Sequence, residues 1–152
     1  MSEPPAADPR DEVEAIRRLK AQYCRFLDTR DIESWRALFA PDVVVTLDLA
    51  VSTGGADPQT MAPLQGLEAF EPVVLGGIAG AATMHHCHTP EIDLTSLTTA
   101  SAIWAMEDLL VWEDRQLHGA GHYHETYEKR DGRWQITSLH LTRTMLRFTE
   151  ST

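Results

Sequence analysis

At 152 residues the chain is long enough for one sizeable hydrophobic core and short for two. Its 43% hydrophobic and 24% charged residues are the proportions of a globular protein, which excludes global disorder. A formal net charge of -10 argues against a nucleic-acid groove or an anionic membrane face, since both favour basic patches.

Residues 1–10, rich in proline, alanine and charge, are expected to form a disordered tail ahead of a single domain over 11–152. This start has neither the basic nor the apolar block of a signal peptide, and no apolar run reaches the roughly 18 residues of a membrane span. Two cysteines, Cys24 and Cys87, make no disulfide framework and read as small buried hydrophobes, so a reducing cytoplasm is the expected setting.

From Asp11 apolar residues recur at helical spacing through Val13, Ile16, Leu19 or Lys20, Tyr23 and Phe26-Leu27, which predicts a helix ending near Asp28 to Arg30. A second, short helix over Asp31 to Phe39 is expected, capped by Asp31, stopped by Pro41, and burying Trp35, Leu38 and Phe39. Val43 to Leu49 is β-branched and reads as a strand, and the Gly/Pro-rich run Ala50 to Gly66 is a candidate lid. A third helix follows over Leu67 to Ile78, interrupted by Pro72.

The remainder reads as long strands at 83–95, 99–112, 116–129 and 133–148, with an Asp131-Gly132 turn as the strongest hairpin signal. Helices followed by a strand meander predict an α+β fold, with the helices on the concave face of a curved antiparallel sheet and a pocket between the layers.

This order, with the phrases IRRLKAQYCRFLDTRDIESWRALFAPDVV, TMH and GHYHETYEKRDGRWQITSLHLTR, resembles the SnoaL-like branch of the nuclear transport factor 2-like superfamily over about residues 12–148. The resemblance implies a cone-shaped α+β barrel. It fixes the reaction less well, because one such fold carries many chemistries. Within the superfamily the chain is most similar to the lyases related to scytalone dehydratase, hexachlorocyclohexane dehydrochlorinase and bile-acid 7α-dehydratase. Their Asp-His pair matches Asp28 and His85, and the bile-acid enzyme's further Tyr, Asp and Arg match Tyr23, Asp108 and Arg143. The scytalone enzyme's Tyr before the Asp is Leu27 here, a departure that counts against scytalone itself as substrate.

His85 is the expected general base, because a neutral imidazole takes protons near working pH. Asp28 would orient it, and Tyr23 would stabilise an enolate-like oxyanion. The alternatives are a helix-ending Asp28, a structural His85 and a core tyrosine. Glu107 and Asp108 alternate on one strand, so one of them points inward; an inward Asp108 would carry a raised pKa and protonate a leaving hydroxyl, or would bridge Arg143. Arg143 could instead hold an anionic tail of the ligand. Trp104, Tyr123 and His124 complete the candidate ligand contacts. In HHCH, His85 and Cys87 face one way while His86 and His88 face the other, so no metal is expected.

The reading that follows is a cofactor-independent lyase of the dehydratase type, acting on a small hydrophobic cyclic or polycyclic metabolite. The alternatives are a ketosteroid-isomerase-like isomerase using the same pocket, or a non-catalytic small-molecule-binding module. The resemblance also implies a homodimer or homotrimer, with no nucleic acid or membrane as partner.

Overall fold

The computed structural model describes residues 8–55 and 57–150. Most of the expected tail, residues 1–7, lies outside the described residues. Helix α1 spans Pro9–Asp28 and so begins two residues before Asp11. The side chain of Asp8 accepts the Arg10 N–H at 2.9 Å, and Pro9 occupies the first turn, where its missing N–H costs nothing.

Helix α2 is shorter than expected, at Ile32–Arg36, with Asp31 accepting the Ser34 N–H at 3.2 Å. The chain leaves it early because strand β1 spans Phe39–Leu47 and runs parallel to the last strand, β6 (Arg133–Glu150). Pro41 therefore sits inside a strand, within the stretch between Phe39 and Val44 where the register shifts and a missing donor is tolerated. Phe39 is buried against Trp35 and Phe70, with ring centroids 4.7 and 5.6 Å away.

The expected lid contains β2 (Leu64–Gln65), paired to β1, and helix α3 follows over Leu67–Ile78. The described part of the connection is tied to the sheet rather than standing clear of it. Ser52 donates to the Arg143 carbonyl from its backbone N–H (2.7 Å) and its hydroxyl (2.9 Å), and the Met61 N–H donates to the Leu47 carbonyl (3.2 Å).

Strands β3 (Ala82–Leu94), β4 (Thr99–Val111) and β5 (Arg115–Arg130) fall within two residues of their expected ends. Asp131 and Gly132 both have positive φ, 52° and 75°, the backbone of the tight hairpin turn that joins β5 to β6. The six-stranded sheet has the order β2-β1-β6-β5-β4-β3 and is curved and unclosed. Its pairs are antiparallel except β1 with β6, so the sheet is mixed.

The concave face follows the period of two: Ala100, Ala102, Trp104, Met106, Asp108 and Leu110 of β4 are buried, and their sequence neighbours are less so. Helices α1 and α3 cover that face with Ile16, Tyr23, Leu27, Phe70 and Ile78. Among the described residues, no helix is long and apolar enough to cross a membrane.

Candidate active site

The end of α1 meets the start of β3 at a carboxylate and an imidazole. Asp28 Oδ1 lies 2.6 Å from His85 Nδ1, and Asp28 Oδ2 accepts the His85 backbone N–H at 2.9 Å. The Thr83 hydroxyl donates to Asp28 Oδ1 at 2.9 Å and itself accepts from Arg30 at 3.0 Å. Arg30 also donates to the carbonyls of Leu27, Ile78 and Ala81, which ties the exits of α1 and α3 to the entry of β3.

Burial alone would raise the Asp28 pKa, but the bonds from the His85 ring and backbone and from Thr83 hold it below the ordinary aspartate value. An ionised Asp28 accepting from Nδ1–H assigns the tautomer and leaves the lone pair of His85 on Nε2.

His85 forms part of the wall of an apolar cavity of about 230 Å³. Leu27, Phe70, Val74, Ile78, Leu110 and Leu141 make up much of the lining, together with Tyr23, Tyr123, Asp108 and Arg143. Tyr23 and Asp28 are five residues apart and not on one helix face; they serve the same cavity because Asp28 is the last residue of α1 and sits behind His85.

Asp108 is the inward member of the acidic pair and Glu107 the outward one, bonded to His118 at 2.6 Å. Both Asp108 oxygens accept from Arg143, at 3.1 and 3.0 Å, a bidentate geometry. Burial would lower the Arg143 pKa, and the bonds from Asp108 more than reverse this. Two of the five guanidinium N–H donors are thereby engaged by the protein's own carboxylate, and Arg143 still forms part of the cavity wall.

Two expected ligand contacts lie elsewhere. His124 projects from the outer face of β5, 3.2 Å from the Thr142 hydroxyl, because neighbours on a strand point to opposite sides and Tyr123 takes the inner one. Trp104 is buried on the inner face but packs away from the cavity, donating to the Tyr127 hydroxyl at 2.9 Å. A larger open groove of about 520 Å³ lies between α1, α2 and the β5–β6 hairpin; it is lined by Asp11, Arg18, Gln22, Lys129 and Arg133 and includes none of the paired groups above.

Three features were not expected. A fully buried Lys20 meets Glu125 at 2.5 Å, and the signal was a lysine at an apolar position of the helical repeat. Gly119 lies opposite Asp108 on β5, where a Cβ would fall 2.1 Å from Asp108 Oδ1 and 2.2 Å from Arg143 Nη1. The Cys24 and Cys87 sulfurs are 3.6 Å apart, a contact between α1 and β3 that spacing could not give.

A helix-covered, unclosed sheet over an apolar pocket with an Asp-His pair makes a candidate small-molecule site in a cone-shaped α+β domain. The chain belongs to the SnoaL-like domain family, whose profile matches residues 9–140. A curated relative from Gibberella zeae, provisionally named the cyclase FGR4, is 28% identical over 135 residues, covering 84% of this chain and 88% of that one. A solved structure from Novosphingobium aromaticivorans, provisionally named a scytalone dehydratase, superposes with a TM-score of 0.74 at 26% identity, covering 93% of this chain and 88% of the other. Hexachlorocyclohexane dehydrochlorinase LinA-type3 from Novosphingobium barchaimii gives a TM-score of 0.72 at 18% identity over 93% and 91%, a likeness of fold alone.

Proposed function

We propose that the protein is a cofactor-independent lyase that eliminates water from a small hydrophobic cyclic or polycyclic substrate bearing a carbonyl and a β-hydroxyl. The carrying observation is the 2.6 Å Asp28–His85 contact at the wall of an apolar cavity. In this reading His85 Nε2 removes the proton from the carbon next to the carbonyl, and Asp28 stabilises the imidazolium that forms. Tyr23 donates to the carbonyl oxygen as negative charge gathers there. The C–O bond then breaks, and the hydroxide leaves as water by taking the proton held on His85. Asp108, with both oxygens turned to Arg143, is better placed to orient the departing hydroxyl than to protonate it.

The dehydratase and cyclase names of two relatives support chemistry at this pocket. Two cysteines with no disulfide framework in their spacing suit a reducing, cytoplasmic setting. The outer face of the sheet, carrying Ile103, Ala105 and Leu109, is where a homodimer or homotrimer would form.

The test is turnover of a panel of cyclic β-hydroxy-ketones followed by mass spectrometry, with wild type and His85→Ala. Loss of water that depends on His85 is the expected result. A product of unchanged mass would identify an isomerase, and tight binding without turnover would identify a binding module; either outcome refutes elimination.

A further inference from the structure

Behind the cavity lies a charge cluster that the elimination scheme does not use. Lys20 on α1 and Glu125 on β5 are wholly buried and 2.5 Å apart. The Lys20 ammonium sits 3.8 Å from the ring centroid of Tyr23 and 3.8 Å from that of Tyr123, the two tyrosines that line the cavity. The ammonium thus faces one carboxylate oxygen and two aromatic rings, with the Cys24 and Cys87 thiols also near it. The other Glu125 oxygen accepts from the Tyr127 hydroxyl, which in turn accepts from Trp104 Nε1–H. All three tyrosines of the chain therefore converge on this one ion pair.

A fold does not need such a pair for its stability. Well-packed apolar residues in place of a buried ion pair are often neutral or stabilising, because desolvation cancels much of the attraction. What the pair supplies is direction. The ammonium end touches the cavity tyrosines, while the carboxylate end is drawn towards Tyr127 and Trp104.

We propose that the Lys20–Glu125 pair is a fixed dipole that positions Tyr23 and Tyr123 and strengthens Tyr23 as a donor to an oxyanion in the cavity, so that the site takes substrates which become enolates or phenolates. This rests on the proposed elimination through an enolate. When a phenol donates to an oxyanion, negative charge shifts onto its own oxygen and ring, and a cation over the ring face stabilises that shift. Burial raises the Tyr23 pKa, and the nearby Lys20 charge is the leading influence against it, ahead of the opposing effect of Glu125. Lys20 itself is held protonated: burial would strip its proton, and Glu125 reverses this. Lys20 and Glu125 are positioning residues here, since neither lines the cavity.

The test uses 4-nitrophenolate, whose visible absorption reports binding and ionisation, against nitrobenzene as a neutral ligand of similar shape. Wild type is expected to bind the phenolate more tightly than nitrobenzene. In Lys20→Met/Glu125→Gln, phenolate affinity should fall by about tenfold or more while nitrobenzene affinity stays within about twofold. Equal phenolate affinity in the paired variant, or no phenolate preference in wild type, overturns the proposal.

Should the paired variant fail to fold, wild type labelled with [ε-13C]lysine gives the answer. The chain has two lysines, Lys20 and Lys129, and phenolate should shift the Lys20 resonance where nitrobenzene does not. A Lys20 signal unmoved by phenolate overturns the proposal as well. Failure of the elimination reading is scored apart from this, on product formation by wild type and His85→Ala, which the ligand titration does not involve.

Discussion

Gly119→Ala adds one methyl group beside the Asp108–Arg143 pair, where there is no room for it. Gly119 faces Asp108 across the β4–β5 ladder, and the new Cβ would lie 2.1 Å from Asp108 Oδ1 and 2.2 Å from Arg143 Nη1. Both distances are far inside van der Waals contact, and the two atoms it strikes are hydrogen-bonded to each other at 3.1 Å. Relief requires the bidentate pair to open or slide. Overpacking alone costs about 1–3 kcal/mol, and separating a buried ion pair costs about 3–5 kcal/mol. A loss of about 3 kcal/mol corresponds to a fall in Tm of about 6–12 °C for a domain of this size.

The assay is urea and thermal unfolding of four proteins: wild type, Gly119→Ala, Asp108→Ala/Arg143→Ala, and the triple variant. In the background lacking both side chains the methyl group has room, so Gly119→Ala should cost less than about 0.5 kcal/mol there. An equal cost in both backgrounds would mean that the glycine serves the strand backbone and not the Asp108–Arg143 pair.

Asp28→Asn removes a charge-assisted bond from His85 worth about 1.5–3 kcal/mol, so turnover of an accepted substrate should fall about 10- to 150-fold with the fold intact by circular dichroism; undiminished turnover would sink the Asp-His assignment. Acid should destabilise the protein through Asp48 and Glu12. Burial would raise the Asp48 pKa, but His140 and Thr60 hold it low, while Lys129, against burial and with help from Trp134, holds Glu12 low. Carboxylates depressed in the folded state contribute stability above the unfolded range, about pH 4, and lose it as the pH falls through their folded values. Urea midpoints should therefore drop on acidification below about pH 4, and less steeply in Asp48→Asn; parallel curves would contradict this. Glu107→Gln breaks a contact to His118 that is largely in solvent, so it should change unfolding free energy by less than about 1 kcal/mol and leave ligand binding unaltered.

Much of this architecture was legible because its periods are clean. Helix α3 begins and ends where expected, at Leu67 and Ile78, and the long strands do so to within two residues. Helix α2 was overextended because Asp31 and Pro41 are sound local start and stop signals, whereas the parallel pairing that claims Phe39 comes from β6, almost a hundred residues away. The choice between Glu107 and Asp108 could not be made locally, since Trp104, Met106 and Leu110 on one face are matched by Ile103, Ala105 and Leu109 on the other. Only the covering helices break the tie. Tyr123 and His124 could not both reach one pocket, since neighbours on a strand face opposite ways, so that conflict was visible in the sequence itself. Lys20 was visible too, as a lysine in register with Ile16, Tyr23 and Leu27, but its partner Glu125 is a non-local contact.

The interior charges bear on what the cavity can hold. Asp28 is bonded to His85, Asp108 to Arg143 and Glu125 to Lys20, so each of these carboxylates is already answered by a group of the protein. A carboxylate or phosphate tail at Arg143 would share with Asp108 a guanidinium already held in a bidentate pair, and would lie against that buried carboxylate's own negative charge. The delocalised oxyanion of the proposed elimination makes a smaller demand. It asks for hydrogen bonds at one oxygen, which a phenol hydroxyl can give, and it exists only while the proton is held on His85. Under the proposed elimination, the pairing would favour a substrate that enters neutral and becomes charged only in the course of the reaction.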